Sequence, residues 1–199
     1  MICFARQPPL VAHSRGSWSL PCGRPLLTML ICHARHELLW AATATTSWTG
    51  GNRRAQIFHK AADYHAFVRL LRAAQLRVPM RVLSFCLMPN HFHLALWPYN
   101  DGDLSEWMGW LLTAHVRRYH QHYHSSGHVW QGRFRAFPIQ EDEHLLTVLR
   151  YIERNALRAN LVPRAETWAW SSLRWLQEPS AMPFLHPAPC LGQQTGLSW

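Results

Sequence analysis

Residues 80–97 read MRVLSFCLMPNHFHLALW, and this stretch decides the fold. Residues 80–87 form an apolar run typical of a buried strand, and Met88-Pro89-Asn90 is typical of a turn. Residues 91–97 predict a second strand, in which alternate side chains share a face. His91 and His93 therefore point one way, while Phe92 and its apolar neighbours point toward a core.

Helical periodicity flanks this pair of strands. Apolar residues recur at helical spacing over residues 63–77 and again over residues 103–123, where Asp103 is the expected cap. Residues 128–139 predict an extended segment, and a last helix is predicted from 141 to about 160 with acidic residues at its start. The expected fold class is α+β, with helices packed on an antiparallel sheet.

The sequence is less regular toward both ends. Prolines interrupt any period in residues 1–48, and organised sequence begins near the turn at Gly50-Gly51-Asn52. After Trp175 the chain becomes rich in proline. We therefore expect an atypical N-terminal segment over 1–48, poorly ordered or carrying a misplaced start, a domain over 49–176 and a Pro-rich tail over 177–199.

The composition favours a polyanionic partner. The formal net charge is +9, and Lys60 is the only lysine, so arginine carries nearly all of the positive charge. A planar guanidinium suits phosphate recognition, although an arginine bias also arises from genome composition. An odd number of cysteines without a C-x-x-C pair indicates a reduced, cytoplasmic setting, and no apolar run is long enough to predict a membrane span.

The His91–Phe92–His93 pattern has two interpretations. Two imidazoles on one strand face, about 6–7 Å apart at their Cα atoms, are able to converge on one metal ion. In a chain with 14 histidines, a bare His-x-His is more often a pair of half-exposed side chains. Tyr151 and Asn155 pose the same choice, because positions i and i+4 share a helical face beside an apolar stripe. A tyrosine in that position is more often part of a core.

Several motifs together resemble one family. In order and spacing the chain resembles REP-associated tyrosine transposases, which are single-tyrosine HUH transposases of the IS200-like superfamily. The resemblance covers about residues 50–175 and is carried by GNRRAQIF (51–58), MPNHFHL (88–94), WQGRF (130–134), YIERN (151–155) and RANLV (158–162).

The resemblance implies a fold and a chemistry. It implies a ferredoxin-like sheet that carries the histidine pair, with the nucleophile on a helix packed beside it. His91, His93 and Asn155 would be ligands of Mg²⁺ or Mn²⁺, and Tyr151 would be the nucleophile. The expected activity is cleavage and rejoining of single-stranded DNA next to hairpin-forming repeats, through a 5′-phosphotyrosine. A monomer or homodimer associated with the nucleoid is expected, without a membrane partner.

A second set of residues is predicted to contact DNA. Its arginines flank the proposed sheet, where they either hold phosphates or form a solvated surface. Its two aromatic residues either stack on bases or pack in the core. The set comprises Arg53, Arg54, Arg117, Arg118, Arg133, Arg135, Trp130 and Phe134.

The chain departs from the family where the first strand is expected. Residues 40–51, WAATATTSWTGG, occupy that place and carry a weak strand signal. This leaves open an inactive DNA-binding remnant or domesticated protein of the same fold. A relaxase or replication initiator uses the same chemistry, but is expected to carry a helicase or primase region as well.

Overall fold

A four-stranded antiparallel sheet organises the protein. The computed structural model describes residues 44–139, 143–176 and 184–187. Its strands are β1 (Ala44–Gly50), β2 (Met80–Met88), β3 (His91–Pro98) and β4 (Arg135–Ile139), in the spatial order β2-β3-β1-β4. Each neighbouring pair is antiparallel. With a helix between β1 and β2 and another between β3 and β4, this is the split βαβ arrangement of a ferredoxin-like fold, as predicted.

Two long helices cover one face of the sheet. They are α1 (Ala61–Arg77) and α2 (Asp103–Tyr123), close to the predicted ranges. The carboxylate of Asp63 caps α1 by accepting from the backbone N–H groups of His59 and Lys60. Phe92, together with Leu94, packs beneath these helices in the larger apolar cluster. Burial of such side chains is the main source of stability, at about 25 cal/mol per Å² of apolar surface.

Shorter helices lie on the other face. They are α3 (Glu143–Glu153), α4 (Asn155–Arg158) and α5 (Ser172–Leu176), with 3-10 turns at Asn52–Arg54 and Ala165–Thr167. The apolar stripe of α3 packs on side chains of β2 and β3 in a second, smaller cluster that includes Leu83, Cys86, Ala95, Leu145, Leu149 and Ile152. The periodicity of the sequence predicted this stripe correctly.

The last helix differs from its prediction as one element over 141–160. Glu141 and Asp142 lie outside the described residues, and the helix is interrupted at Arg154. There the side-chain amide of Asn155 donates to the backbone oxygen of Tyr151 at 3.0 Å. Asparagine side chains compete for helix carbonyls in this way, which explains a break between Tyr151 and Asn155.

Some described residues lie outside the range 49–176 that the sequence predicted as the domain. The boundary between residues 48 and 49 falls inside β1, which pairs with β3 on one side and β4 on the other. Within the predicted tail, Phe184 is buried against the larger cluster and Leu185 bridges to Val82 on the edge strand β2. Residues 44–48 and residues 184–187 therefore both contact the sheet. In the part of the chain that the structure describes, no helix is both long and apolar enough to cross a membrane.

Candidate active site

The histidine pair lies on the face of β3 that α3 partly covers. The ring centroids of His91 and His93 are 5.0 Å apart and nearly perpendicular. Both side chains are half-buried. Phe92, which lies between them, and Leu94, which follows them, are fully buried on the opposite face. Strand alternation alone produces this separation, as the sequence predicted.

Burial favours the neutral form of both imidazoles. Burial lowers the pKa of His91, and burial followed by the influence of His91 lowers the pKa of His93 to about 3. Nδ1 of His91 lies 2.7 Å from Oδ1 of Asn90. Because an amide oxygen only accepts, Nδ1 carries the proton and Nε2 carries the lone pair. An outer hydrogen bond of this kind is what orients metal-binding histidines.

Tyr151 reaches the histidine pair from α3. Its ring centroid lies 5.9 Å from that of His93, with the planes nearly perpendicular. Leu149 and Ile152 anchor the helix in the smaller cluster, so that Tyr151 stands at the edge of the packed stripe and is 36% exposed. The phenol is therefore held beside His93 and is also accessible from solvent.

Two more residues of the same region lie beside Tyr151. The amide nitrogen of Asn155 is engaged with the Tyr151 carbonyl, which leaves the amide oxygen as the available donor atom for a cation. The guanidinium of Arg158, on α4, lies over the Tyr151 ring at 5.1 Å. The RANLV motif contained Arg158, but sequence reasoning assigned it no role.

Glu153 belongs to a buried polar group under β2. Its carboxyl accepts from the Ser84 hydroxyl at 3.4 Å, and Ser84 in turn contacts Ser172 at 2.9 Å. Burial raises the pKa of Glu153 to about 7, against the opposing effects of Ser84 and Arg150. The side chain thus links α3 and α5 to the sheet.

A row of side chains crosses the sheet at the level of His93. Strand register places Trp48 of β1 opposite His93, and Arg135 of β4 opposite Trp48. The rings of Trp48 and His93 are 6.5 Å apart, and the Arg135 guanidinium lies 5.3 Å from the indole centroid. Sequence reasoning missed Trp48, because only the pairing of β1 with β3 reveals that it neighbours the histidines.

The other predicted DNA contacts divide into two locations. Arg53 and Arg54 are exposed in the turn after β1, where the Arg54 carbonyl accepts from Asn90. They therefore lie at the end of the sheet that carries His91, and Arg133 is exposed just before β4. Arg117 and Arg118 lie on α2 instead, over the opposite face, where Arg118 is 3.7 Å from Asp63.

The two aromatic candidates differ in exposure. Trp130 is only 6% exposed, and its ring centroid lies 5.3 Å from that of Phe92 in the larger cluster. The structure thus favours the core interpretation of Trp130 over base stacking. Phe134 is half-buried against the same cluster.

The ligands that the family resemblance implies are two imidazoles and an amide oxygen, which are donor types that divalent cations accept. Among the described residues no group of three or more His, Cys, Asp or Glu side chains has the arrangement of a metal site. Asn155, which the family resemblance implies as the third ligand, lies four residues after Tyr151 and carries an amide oxygen. Imidazole with oxygen donors suits Mn²⁺ or Mg²⁺, with Mn²⁺ the stronger in intrinsic affinity.

This fold and these residues define a known class of protein. Residues 48–155, just over half of the chain, match the family model described as transposase IS200 like, and the chain belongs to that family. A Haemophilus influenzae protein named as a REP-associated tyrosine transposase is 30% identical over 105 residues, which are 47% of this chain and 59% of the relative. The match thus spans less than two thirds of that relative's length.

One solved structure supports the fold. A REP-associated tyrosine transposase bound to a REP hairpin superposes with a TM-score of 0.57 at 19% identity, covering 82% of this chain and 93% of that one. A Deinococcus radiodurans protein described as a transposase gives a TM-score of 0.41 at 17% identity, over 60% of this chain and 94% of that one. The resemblance stated from the sequence motifs is thereby confirmed.

Proposed function

We propose that this chain is a REP-associated tyrosine transposase that cleaves and rejoins single-stranded DNA next to a hairpin, with Tyr151 as its nucleophile. The observation that carries the proposal is the 5.9 Å approach of the Tyr151 ring to His93, from a helix to a strand. The family match supports transposition as the activity, and the named relatives support REP hairpins as the DNA.

The proposed reaction is a transesterification. The Tyr151 oxygen attacks the phosphorus, the bond from phosphorus to the 3′ oxygen breaks, and the DNA is left as a 5′-phosphotyrosine and a free 3′-hydroxyl. The phenolic proton is lost, and the leaving oxygen gains one. One phosphodiester replaces another, so the reverse reaction with a new 3′-hydroxyl rejoins DNA without ATP.

The chain's own residues contribute positioning and charge. Phosphoryl transfer depends mainly on orientation and on electrostatic stabilisation. Anchoring of α3 by its apolar stripe fixes the phenol, and the Arg158 guanidinium is available to a phosphate oxygen beside it. In this proposal His91, His93 and Asn155 hold Mn²⁺ or Mg²⁺. When bound, such a cation neutralises charge that develops on the phosphoryl oxygens.

Basic residues around the site are proposed to hold the DNA backbone. Arg53, Arg54, Arg133 and Arg135 are exposed at this end of the sheet, and the chain carries a formal charge of +9. Each neutralised phosphate releases counterions, so binding should weaken steeply as salt rises. A hairpin with a single-stranded flank should bind more tightly than a blunt duplex of equal length. Equal binding of both, or binding independent of salt, would contradict this partner.

The proposal is tested by cleavage of an end-labelled hairpin substrate with a single-stranded flank. Cleavage should require Mn²⁺ or Mg²⁺ and should disappear in excess EDTA. His91→Ala and His93→Ala should each abolish cleavage while the circular dichroism spectrum stays unchanged, and the exposed His122→Ala is the matched control. Full cleavage in EDTA would contradict the metal requirement. Hairpin binding without any cleavage by the unmodified chain would favour the DNA-binding remnant.

A further inference from the structure

Trp48 stands apart from both apolar clusters of the protein. It is a large aromatic side chain in a strand that is paired on both sides, yet it belongs to neither cluster among the described residues. It is half-buried, and its indole ring lies beside the ring of His93 and the guanidinium of Arg135. An indole that does not pack in a core, on a rigid backbone, is a surface on which a flat ligand is able to stack.

The surroundings of Trp48 are positive and lie next to the site. Arg135 is exposed and lies over the indole, and a guanidinium stacks on bases as well as pairing with phosphates. Gly50 lies opposite His91 in the next row and carries no side chain that would cover this end of the sheet. Trp48 thus lies between the histidine pair on β3 and Arg135 on the edge strand β4.

We propose that Trp48 and Arg135 form a nucleotide subsite that receives a base flanking the scissile phosphate. The base stacks on the indole, and Arg135 binds the phosphate of that nucleotide. The inference rests on the proposed function for the class of ligand, a single-stranded DNA, and adds the place where one unpaired nucleotide is held. Stacking tolerates any base, so the subsite fixes the position of the strand and contributes no sequence preference.

A base should displace Arg135 from the indole of Trp48, because base stacking is the stronger of the two interactions. A cation over an exposed aromatic ring is a weaker contact than a base stacked on it. Arg135 is a long side chain at the first position of the edge strand, so it is free to leave the indole when a base arrives. It then remains beside the bound nucleotide as a phosphate ligand.

The test measures binding of a DNA hairpin with a single-stranded flank of mixed sequence, without cleavage. The measurement uses Tyr151→Phe protein in EDTA at low salt, so neither the nucleophile nor a metal takes part. Trp48→Leu should weaken binding by roughly fivefold to a hundredfold, which is the range for loss of one stacked base. Trp110→Leu, a half-buried tryptophan on α2 over the opposite face, is the matched control and should leave binding unchanged.

An abasic site moved one position at a time through the flank identifies the stacked nucleotide. At one position it should weaken binding to the Trp48-containing protein by the same factor, and it should have no further effect on Trp48→Leu. Arg135→Ala should reduce the slope of log affinity against log salt by about 1, which is the value for loss of one phosphate contact. Arg72→Ala, at an exposed position on α1, should leave this slope unchanged. Abasic effects that are equal in both proteins at every position would overturn the subsite.

The outcomes separate this subsite from the proposed function. Suppose that the unmodified chain forms no covalent adduct with Mn²⁺, but the effect of the abasic site on affinity disappears in Trp48→Leu. The nucleotide subsite then stands and the nuclease proposal fails. If Trp48 serves only to pack against His93, Trp48→Leu will impair cleavage but not binding in EDTA, and the subsite is contradicted.

Discussion

The ring of Tyr151 lies 5.9 Å from the ring of His93 and nearly perpendicular to it. The two residues come from different elements, since His93 is in β3 and Tyr151 is in α3. Their approach depends on the apolar stripe of α3, whose leucines pack on the sheet and fix the position of the helix on it. The position of Tyr151 beside the histidine pair therefore depends on the packing of the smaller cluster.

Arg158 should matter for chemistry more than for binding. Its guanidinium lies 5.1 Å from the Tyr151 ring, where it is able to stabilise charge on the attacked phosphate. Arg158→Ala should slow formation of the covalent adduct by about a hundredfold, the lower end of the range for loss of one electrostatic contact to the reacting group. Arg158→Lys should recover part of the rate, because it keeps the charge without the planar fork.

Arg154 provides the matched control for this measurement. It is an exposed arginine at the interruption between α3 and α4. Single-turnover adduct formation and hairpin affinity should be measured for both alanine variants. A rate for Arg158→Ala that equals that of Arg154→Ala would contradict the role of Arg158.

His115 should make the protein sensitive to acid. It is 1% exposed, and neither of its ring nitrogens has a hydrogen-bond partner among the described residues. Burial lowers its pKa to about 4, with Arg118 acting in the same direction and Asp63 opposing it. As the pH falls, His115 is therefore protonated near pH 6.5 in the unfolded chain, but only near pH 4 in the folded chain.

The sign of the effect follows directly. As the pH falls from about 6.5 to about 4, this histidine should remove up to about 3 kcal/mol from the free energy of unfolding. His115→Leu should remove that part of the pH dependence and should raise stability by about 1 kcal/mol at pH 7, since it eliminates unpartnered polar atoms. Urea unfolding at several pH values measures this, with exposed His122→Leu as the control. An unchanged acid slope in His115→Leu would contradict it.

Gly51 should be required for the turn that follows β1. A Cβ atom at this position would overlap the backbone oxygen of Ala55 and would lie 2.9 Å from Cγ1 of Ile57. Gly51→Ala should therefore lower the free energy of unfolding by about 1–3 kcal/mol, as overpacking does in other proteins. Thermal or urea unfolding measures the change.

Gly109→Ala is the matched control for Gly51→Ala. Gly109 lies within α2, and a Cβ atom there would meet nothing within 4 Å. Because alanine favours helix over glycine, this variant should be more stable by about 0.5–1 kcal/mol. Equal effects of the two substitutions would show that the turn tolerates a side chain.

The strands that the sequence predicted are those with local signals. β2 and β3 carry long apolar runs joined by a short turn, so their pairing needs no distant information. β1 lacks such a run, because three of its buried side chains are the polar Thr45, Ser47 and Thr49. Its pairing with β3 and β4 stabilises it, and this is a non-local effect.

The site was predictable in part. Strand alternation gives the shared face of His91 and His93, but no spacing in the chain places Tyr151 beside them, and only the family resemblance did so. Trp130 was ambiguous because an aromatic residue among arginines suits both a core and a nucleic-acid surface, and its burial depends on α1 and α2. The break before Asn155 arises from a side-chain bond that periodicity does not reveal.

The most direct test of the central claim is the covalent adduct of Tyr151. Single-stranded DNA with a hairpin and a labelled 3′ end is incubated with Mn²⁺, and a denaturing gel then shows whether label migrates with protein. The unmodified chain and the exposed Tyr99→Phe control should both retain label, because a 5′-phosphotyrosine keeps the downstream strand attached. Tyr151→Phe, which removes only a hydroxyl, should give no adduct while its hairpin affinity is preserved. An adduct that survives in Tyr151→Phe would contradict the assignment of the nucleophile, and no adduct from the unmodified chain would contradict the proposed activity.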